Sequence, residues 1–222
     1  MNVLTVLAKG PAMLGVLARS WLWQRIMGAP GIELQQGCQI LGHRHIRIGR
    51  DFRAGRLLWL EAVTEFGPQA FAPQLIIGER VSCSDGVHIA CATRLTIGND
   101  VLIGSKVHIT DHNHGNYRDS APHSSPDVPP AKRALAGAPV EIGDRVFLAD
   151  GVVVLPGSFI GAGTVVGANA VVSGTLPPDS ICAGTPARPI KTFDHVLQRW
   201  QSVGVQPNHR ATHSAGEPDR KP

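Results

Sequence analysis

The sequence predicts an all-β fold, a parallel β-helix of triangular coils, and three observations carry that expectation. Ile142, Leu148, Val154, Ile160, Val166 and Val172 follow one another at intervals of six residues. The residue after each is mostly small (Gly143, Ala149, Leu155, Gly161, Gly167, Ser173), and the residue four after each is mostly small or β-branched (Val146, Val152, Ser158, Thr164, Ala170, Leu176). Gly and Pro are plentiful, at 25 and 17, while charged residues are 17% and aromatics 5%, which suits short strands joined by turns better than a helical bundle. A period of six is neither the 3.6 of a helix nor simple alternation. It fits one short strand per side of a triangle, with one aliphatic pointing to the axis and a small residue where the corner closes. Three sides take about 18 residues, and such coils stack at the strand spacing of ~4.8 Å. Each coil buries its face only against its neighbours.

Residues 1–30 read as an N-terminal helical segment in which Leu14, Leu17, Trp21 and Ile26 recur near helical spacing. Lys9, Pro11, Arg19 and Arg25 interrupt any membrane-crossing run. Two roles stand open. Residues 11–27 can lie on a membrane surface, held by Trp21, Trp23 and the basic side chains. The favoured alternative is a helix that caps the end of the fold or packs on a sister subunit. The solenoid follows over residues 31–191. Its phase recurs in Ile97, Ile103 and Ile109, and more weakly in Ile77, Cys83 and Ile89. Residues 113–138, rich in Pro and Ser, break the period and read as one extruded loop. Residues 192–203 read as a short C-terminal helix with Phe193, Val196, Leu197 and Trp200 on its apolar face. The polar, Pro-rich residues 204–222 are expected to be disordered.

The net charge of +4 is mild, and no basic stripe with interleaved aromatics points to nucleic acid. Cys38, Cys83, Cys91 and Cys182 form no CxxC pair and no secretory signal is apparent, so buried reduced thiols in the cytoplasm are expected.

Chemistry is expected where the repeat fails. "ITDHNHGNYRDS", Ile109 to Ser120, lies at that break. It reads as a metal site, a catalytic base on a loop, or a solvated turn. A zinc site needs three ligands converging around an open position. His108 and His112 on one face of an extended strand would stand about 13 Å apart, which weakens zinc. His112 ends a strand and opens the loop, and an imidazole there can take a proton from a hydroxyl near neutral pH.

From Ile40 to Lys191 the chain resembles the hexapeptide-repeat acyltransferases. The resemblance rests on the repeat, on "IGSKVHITDHNHG" and on the closing "PPDSICAGTPARPIK". It implies a left-handed helix, a homotrimer with active sites between subunits, and acetyl-CoA as donor with no metal required. His112 stands where the family has its catalytic base. The form Asp111-His112-Asn113-His114-Gly115 looks most like the branch that acetylates hydroxyls of lipopolysaccharide and other surface polysaccharides. On the acceptor side the candidates are Asp111, His114, His88 and, at a position that the resemblance matches, Ser84; the partner that orients His112 is read as Asp111 or Glu61. On the cofactor side it implies Gly167 and Ala168 as a flat wall for the pantetheine arm, and Arg188 and Lys191 at the phosphates. Three departures stand out. Ser84 replaces a family asparagine, a lysine expected near Ser173-Gly174 is missing, and Asp150 stands where a small polar residue is usual. The rival readings are a zinc hydrolyase like the γ-class carbonic anhydrases, built on the same type of coil, and a non-catalytic β-helix scaffold.

Overall fold

A single branched aliphatic per side is enough to build a wall when its copies stack in register. The computed structural model describes residues 11–118 and 122–203. It is a three-sided, left-handed parallel β-helix. The inward column of the first wall is Leu34, Ala54, Cys83, Ile103, Leu148, Val166 and Cys182. The second wall stacks Ile40, Leu60, Ile89, Ile109, Val154 and Val172. The third stacks Ile48, Ile77, Ile97, Ile142, Ile160 and Leu176. All of these side chains are buried and form one continuous core. The expected register of 18 is met in the pairs Ile142/Ile160, Leu148/Val166 and Val154/Val172. Earlier coils are longer because their third wall turns two residues inward, as in Leu75/Ile77 and Leu95/Ile97. That extra pair blurs the hexad on the N-terminal side.

The small residue after each inward aliphatic has a steric reason. A Cβ on Gly161 would overlap the backbone nitrogen of Pro178 in the next coil. Polar side chains tie the corners together. Asn99 Oδ1 accepts the N–H of Glu79 at 2.8 Å, and Asp144 Oδ1 accepts that of Asn99 at 2.7 Å. Asp150 belongs to the same device, for its Oδ1 accepts the N–H of Ser105 at 2.6 Å. Its acid therefore caps a turn.

Helix α1, Pro11–Met27, covers the open end of the first coil. Ser20 Oγ accepts the N–H of Leu34 at 3.0 Å and Arg19 Nη1 donates to the Leu34 carbonyl at 3.2 Å. These bonds satisfy backbone that an uncovered edge strand would leave bare. Met13, Val16 and Ser20 are buried, with Trp23 and Met27 packed on the core. The stripe read from the sequence, Leu14, Leu17, Trp21 and Ile26, is exposed instead. Both faces of α1 are apolar, and the one that packs carries Ser20, whose hydroxyl reaches the Leu34 N–H. Among the described residues no helix is long and apolar enough to cross a membrane.

The C-terminal helix expected over residues 192–203 is a correction. Ala187–Asp194 and Arg199–Ser202 form an antiparallel hairpin that extends the first wall. Asp194 Oδ1 accepts the N–H groups of Val196 and Leu197, both at 2.9 Å, and so caps a turn rather than a helix. Phe193 and Trp200 meet across the strands with centroids 5.2 Å apart. Cross-strand packing overrides the helical spacing of the apolar residues. The expectation of a disordered tail over 204–222 lies outside the described residues.

Candidate active site

The second wall ends at a corner that each coil treats differently. In the coil of Ile109 the chain leaves the solenoid as the strand His112–His114 and returns as Leu135–Gly137. The two pair antiparallel, His112 with Gly137 and His114 with Leu135. The extruded segment thus has a ribbon for a neck. Within it, Tyr117 Oη donates to the His114 carbonyl at 2.6 Å, and Arg133 donates to Tyr117 Oη, Val128 O and Pro126 O. Arg118 Nη2 donates to Pro156 O at 2.6 Å and ties the loop to the next coil.

Asp111 turns inward at the root of this ribbon and is fully buried. Its carboxylate accepts from the Ala92 N–H at 2.8 Å, the Thr93 N–H at 2.7 Å and Thr93 Oγ1 at 2.8 Å. It also accepts from Cys91 Sγ at 3.4 Å. His112 Nδ1 lies 2.9 Å from Asp111 Oδ1. Burial alone would raise the Asp111 carboxyl, but the bonds from His112, Ala92 and Thr93 outweigh it and hold the group below the usual carboxylate range. Burial and the neighbouring carboxylate push the Cys91 thiol far up, so it stays a protonated donor. A carboxylate so placed only accepts, so in the neutral ring the tautomer with the proton on Nδ1 is favoured and Nε2 is the nitrogen with the lone pair. The His112 side chain is 12% exposed.

Beside the ribbon the second wall presents an aromatic column, Trp59, His88 and His108, in strand register. His88 stacks on Trp59 with centroids 4.4 Å apart and planes at 16°. His108 lies 4.8 Å from His88. Burial, with His112 close by, lowers the pKa of both His88 and His108. Neighbours that stay neutral do not oppose a proton arriving on His112. The Nε2 of His88 is enclosed and has no hydrogen-bond partner among the described residues. Among the described residues, no three His, Cys, Asp or Glu side chains converge as metal ligands would.

The residues singled out in the sequence fall on two edges of the prism. His112 and His114 are on the edge between the second and third walls. Asp111 shares that edge, but its complete burial corrects its place on the acceptor side and makes it the partner of His112, a role for which Glu61 was the other candidate. Ser84 lies in the turn between Ser82–Cys83 and His88–Cys91, on the edge between the first and second walls. Gly167 and Ala168 occupy the same edge higher up, between Val165–Val166 and Val171–Val172. Within one chain these residues and His112 are therefore separated by the width of the second wall. Arg188 and Lys191 are exposed on the antiparallel extension of the first wall, where they pair with Ala183 and Ile181. The ladder from the coil of His112 up to this extension, Ile103–Leu148–Val166–Cys182, has three steps, or ~14 Å along the axis.

Two features were not foreseen. A groove of about 230 Å³ runs along the His112 edge under the loop, lined by Asn113, Tyr117, Arg118, Leu155, Pro156 and Ser173. A second excursion, the hairpin Glu65–Phe66/Gln69–Ala70, leaves the same edge two coils earlier. Gln69 Oε1 accepts the Leu135 N–H at 2.7 Å and Gln69 Nε2 donates to the Leu135 carbonyl at 3.2 Å. Phe66 meets His114 edge-on with centroids 4.9 Å apart. The signal in the sequence was the longer gap between Ala54 and Cys83, with Gly67-Pro68 inside it.

Comparison with known proteins agrees with this architecture. No protein-family model matches the chain. A curated protein of Escherichia coli K12, WbbJ, named as a candidate lipopolysaccharide biosynthesis O-acetyl transferase, is 44% identical over 166 residues. The match covers 75% of this chain and 81% of that protein. Among solved structures, AntD, an N-acyltransferase from Bacillus cereus, superposes with a TM-score of 0.63 at 17% identity when bound to dTDP and 3-hydroxybutyryl-CoA. That superposition covers 80% of this chain and 90% of AntD. A variant of AntD with dTDP-4-amino-4,6-dideoxyglucose and coenzyme A gives the same TM-score and identity, over 80% of this chain and 91% of its own. The structures share the fold, the curated relative shares the sequence, and the chain belongs to the hexapeptide-repeat O-acetyltransferase family.

Proposed function

We propose that this protein transfers an acetyl group from acetyl-CoA to a sugar hydroxyl in lipopolysaccharide or surface-polysaccharide biosynthesis. One observation carries the chemistry: the His112–Asp111 pair, 2.9 Å apart, at the root of the extruded loop. His112 Nε2 takes the proton of the hydroxyl as its oxygen attacks the thioester carbonyl. A C–O bond forms, and the tetrahedral intermediate collapses with cleavage of the C–S bond. The imidazolium then returns its proton to the departing thiolate. Asp111 holds the ring in the tautomer that this requires and stabilises the imidazolium. His114 and His88 border the acceptor, Gly167 and Ala168 flank the pantetheine arm, and Arg188 and Lys191 meet the phosphates of coenzyme A.

The placement of these groups on two edges supports a site shared between copies of the chain. His112 of one subunit then faces Ser84, Gly167 and Ala168 of the next, and a homotrimer closes three such clefts. Use of acetyl-CoA and four unpaired cysteines fit the cytoplasm. His112→Ala tests the reading. Turnover is expected to fall by at least ~10²-fold while the chain stays folded, because the ring lies outside the aliphatic core. A variant that keeps most of its turnover refutes the assignment.

A further inference from the structure

The outer face of α1 has no role in the chemistry proposed above. Leu14, Leu17, Trp21, Leu22 and Ile26 are exposed along it, with Leu14 61% and Trp21 58% accessible. The opposite face is already used against the first coil, so the exposed stripe is not needed to cap the solenoid. Arg25 lies over the Trp21 ring, 4.7 Å from its centroid. An aromatic ring paired with a cation on an apolar helix face suits a boundary that is apolar on one side and charged on the other.

Charge is concentrated at the same end. Residues 11–56 hold seven arginines against two acids, a net +5, whereas residues 57–222 net −2. Several of these cations are already paired, Arg50 with Glu79 and Arg56 with Asp85. Arg44 and Arg47 are exposed in the first coil and make no ion pair among the described residues. They border a groove with His45 on the outside of the third wall. The first coil meets α1 where Trp23 approaches His43, with centroids 6.4 Å apart. An apolar helix face with unpaired arginines on the coil it packs against matches an anionic surface with an apolar interior.

We infer that α1 and the first coil form a peripheral docking surface for an anionic lipid bilayer, with the exposed stripe at the level of the headgroups and the arginines against the phosphates. The solenoid then stands away from the membrane, and the ribbon of His112 lies further along the axis from it. The inference is independent of acetyl transfer. Only its avidity rests on the proposed trimer, which would present three such helices to one surface.

The test is sedimentation of the full chain with vesicles of phosphatidylcholine alone, or of phosphatidylcholine with phosphatidylglycerol, at low and high salt. Binding is expected on the anionic vesicles, weaker at high salt and on the neutral ones. Leu17→Ser with Trp21→Ser is expected to weaken it by at least about tenfold. Arg44→Gln and Arg47→Gln are expected to cost about fivefold each. All four positions are exposed, so circular dichroism and acetyl transfer to a soluble acceptor should stay at wild-type levels. Absence of binding to anionic vesicles overturns the inference, as does binding that the four substitutions leave unchanged. If the Leu17 and Trp21 substitutions alter only the oligomeric state, a second copy covers the face and the inference is wrong.

Discussion

His112 becomes a useful base only if one ring nitrogen is held and the other left free, so Asp111 matters as much as the histidine. Replacing Asp111 with Asn offers Nδ1 an amide in place of an anion. Its single oxygen can accept from only one of the Ala92 and Thr93 N–H groups, which the two carboxylate oxygens of Asp111 serve separately. Turnover should fall at least about tenfold, while the KM for acetyl-CoA stays near that of the wild type, since Asp111 is fully buried. The same residue sets an acid limb of stability. Its carboxyl is held below the ordinary range in the folded protein, so its contribution is complete above the unfolded value, about pH 4. That contribution is lost as pH falls through the folded value. Denaturant titrations between pH 5 and pH 2 should show a steeper loss for the wild type than for Asp111→Asn, and equal slopes would remove Asp111 from this role. The sequence located His112 from the broken repeat, but it could not decide for Asp111 over Glu61. Neighbours on a regular strand point to opposite sides. Only the bend at the corner turns the Asp111 carboxylate back towards His112, and only the coil register brings Ala92 and Thr93 beneath it.

At the level of elements, the two excursions from one edge act together. The Glu65–Ala70 hairpin reaches past the coil of Thr93 and binds the neck of the extruded loop through both amide atoms of Gln69. Leu135, its target, is the ladder partner of His114, two residues from His112. Gln69 therefore acts as a positioning residue for the ribbon. Gln69→Ala removes both bonds. It should raise the hydrogen-exchange rate of the Leu135 amide and the KM for acceptor, leaving the KM for acetyl-CoA unaltered. Gln69→Glu keeps an acceptor for the Leu135 N–H and loses only the donor, so it should fall between. An unchanged Leu135 exchange rate in Gln69→Ala would show that the neck holds itself. The walls were readable because their signal is repeated. This hairpin and the C-terminal one occur once each, and tertiary pairing decides both. Phe193, Val196, Leu197 and Trp200 fit a helical stripe as well as a hairpin, until Asp194 captures the next turn and Trp200 packs across on Phe193.

The whole molecule has the proposed base on one edge of a triangular prism and the cofactor candidates on another edge and wall. A rigid solenoid cannot fold to bring them together, because its core is a continuous stack from Leu34 to Cys182. Two copies side by side can. If the site is shared, two defective chains can repair each other. His112→Ala removes the base but leaves the edge of Gly167 and Ala168 intact. Ala168→Trp on an exposed corner fills the path of the pantetheine arm and leaves His112 intact. Each homogeneous variant should be inactive. Unfolded together in equal amounts and refolded, they form mixed assemblies in which some clefts join His112 of one chain to the unaltered Gly167 edge of the other. For random mixing of two chains, about a quarter of the clefts have this composition. Activity should then recover to about a quarter of wild type, and it should vanish if the two variants are refolded separately and then mixed. Recovery absent from the co-refolded sample, with trimers confirmed by light scattering, would place base and cofactor in the same chain.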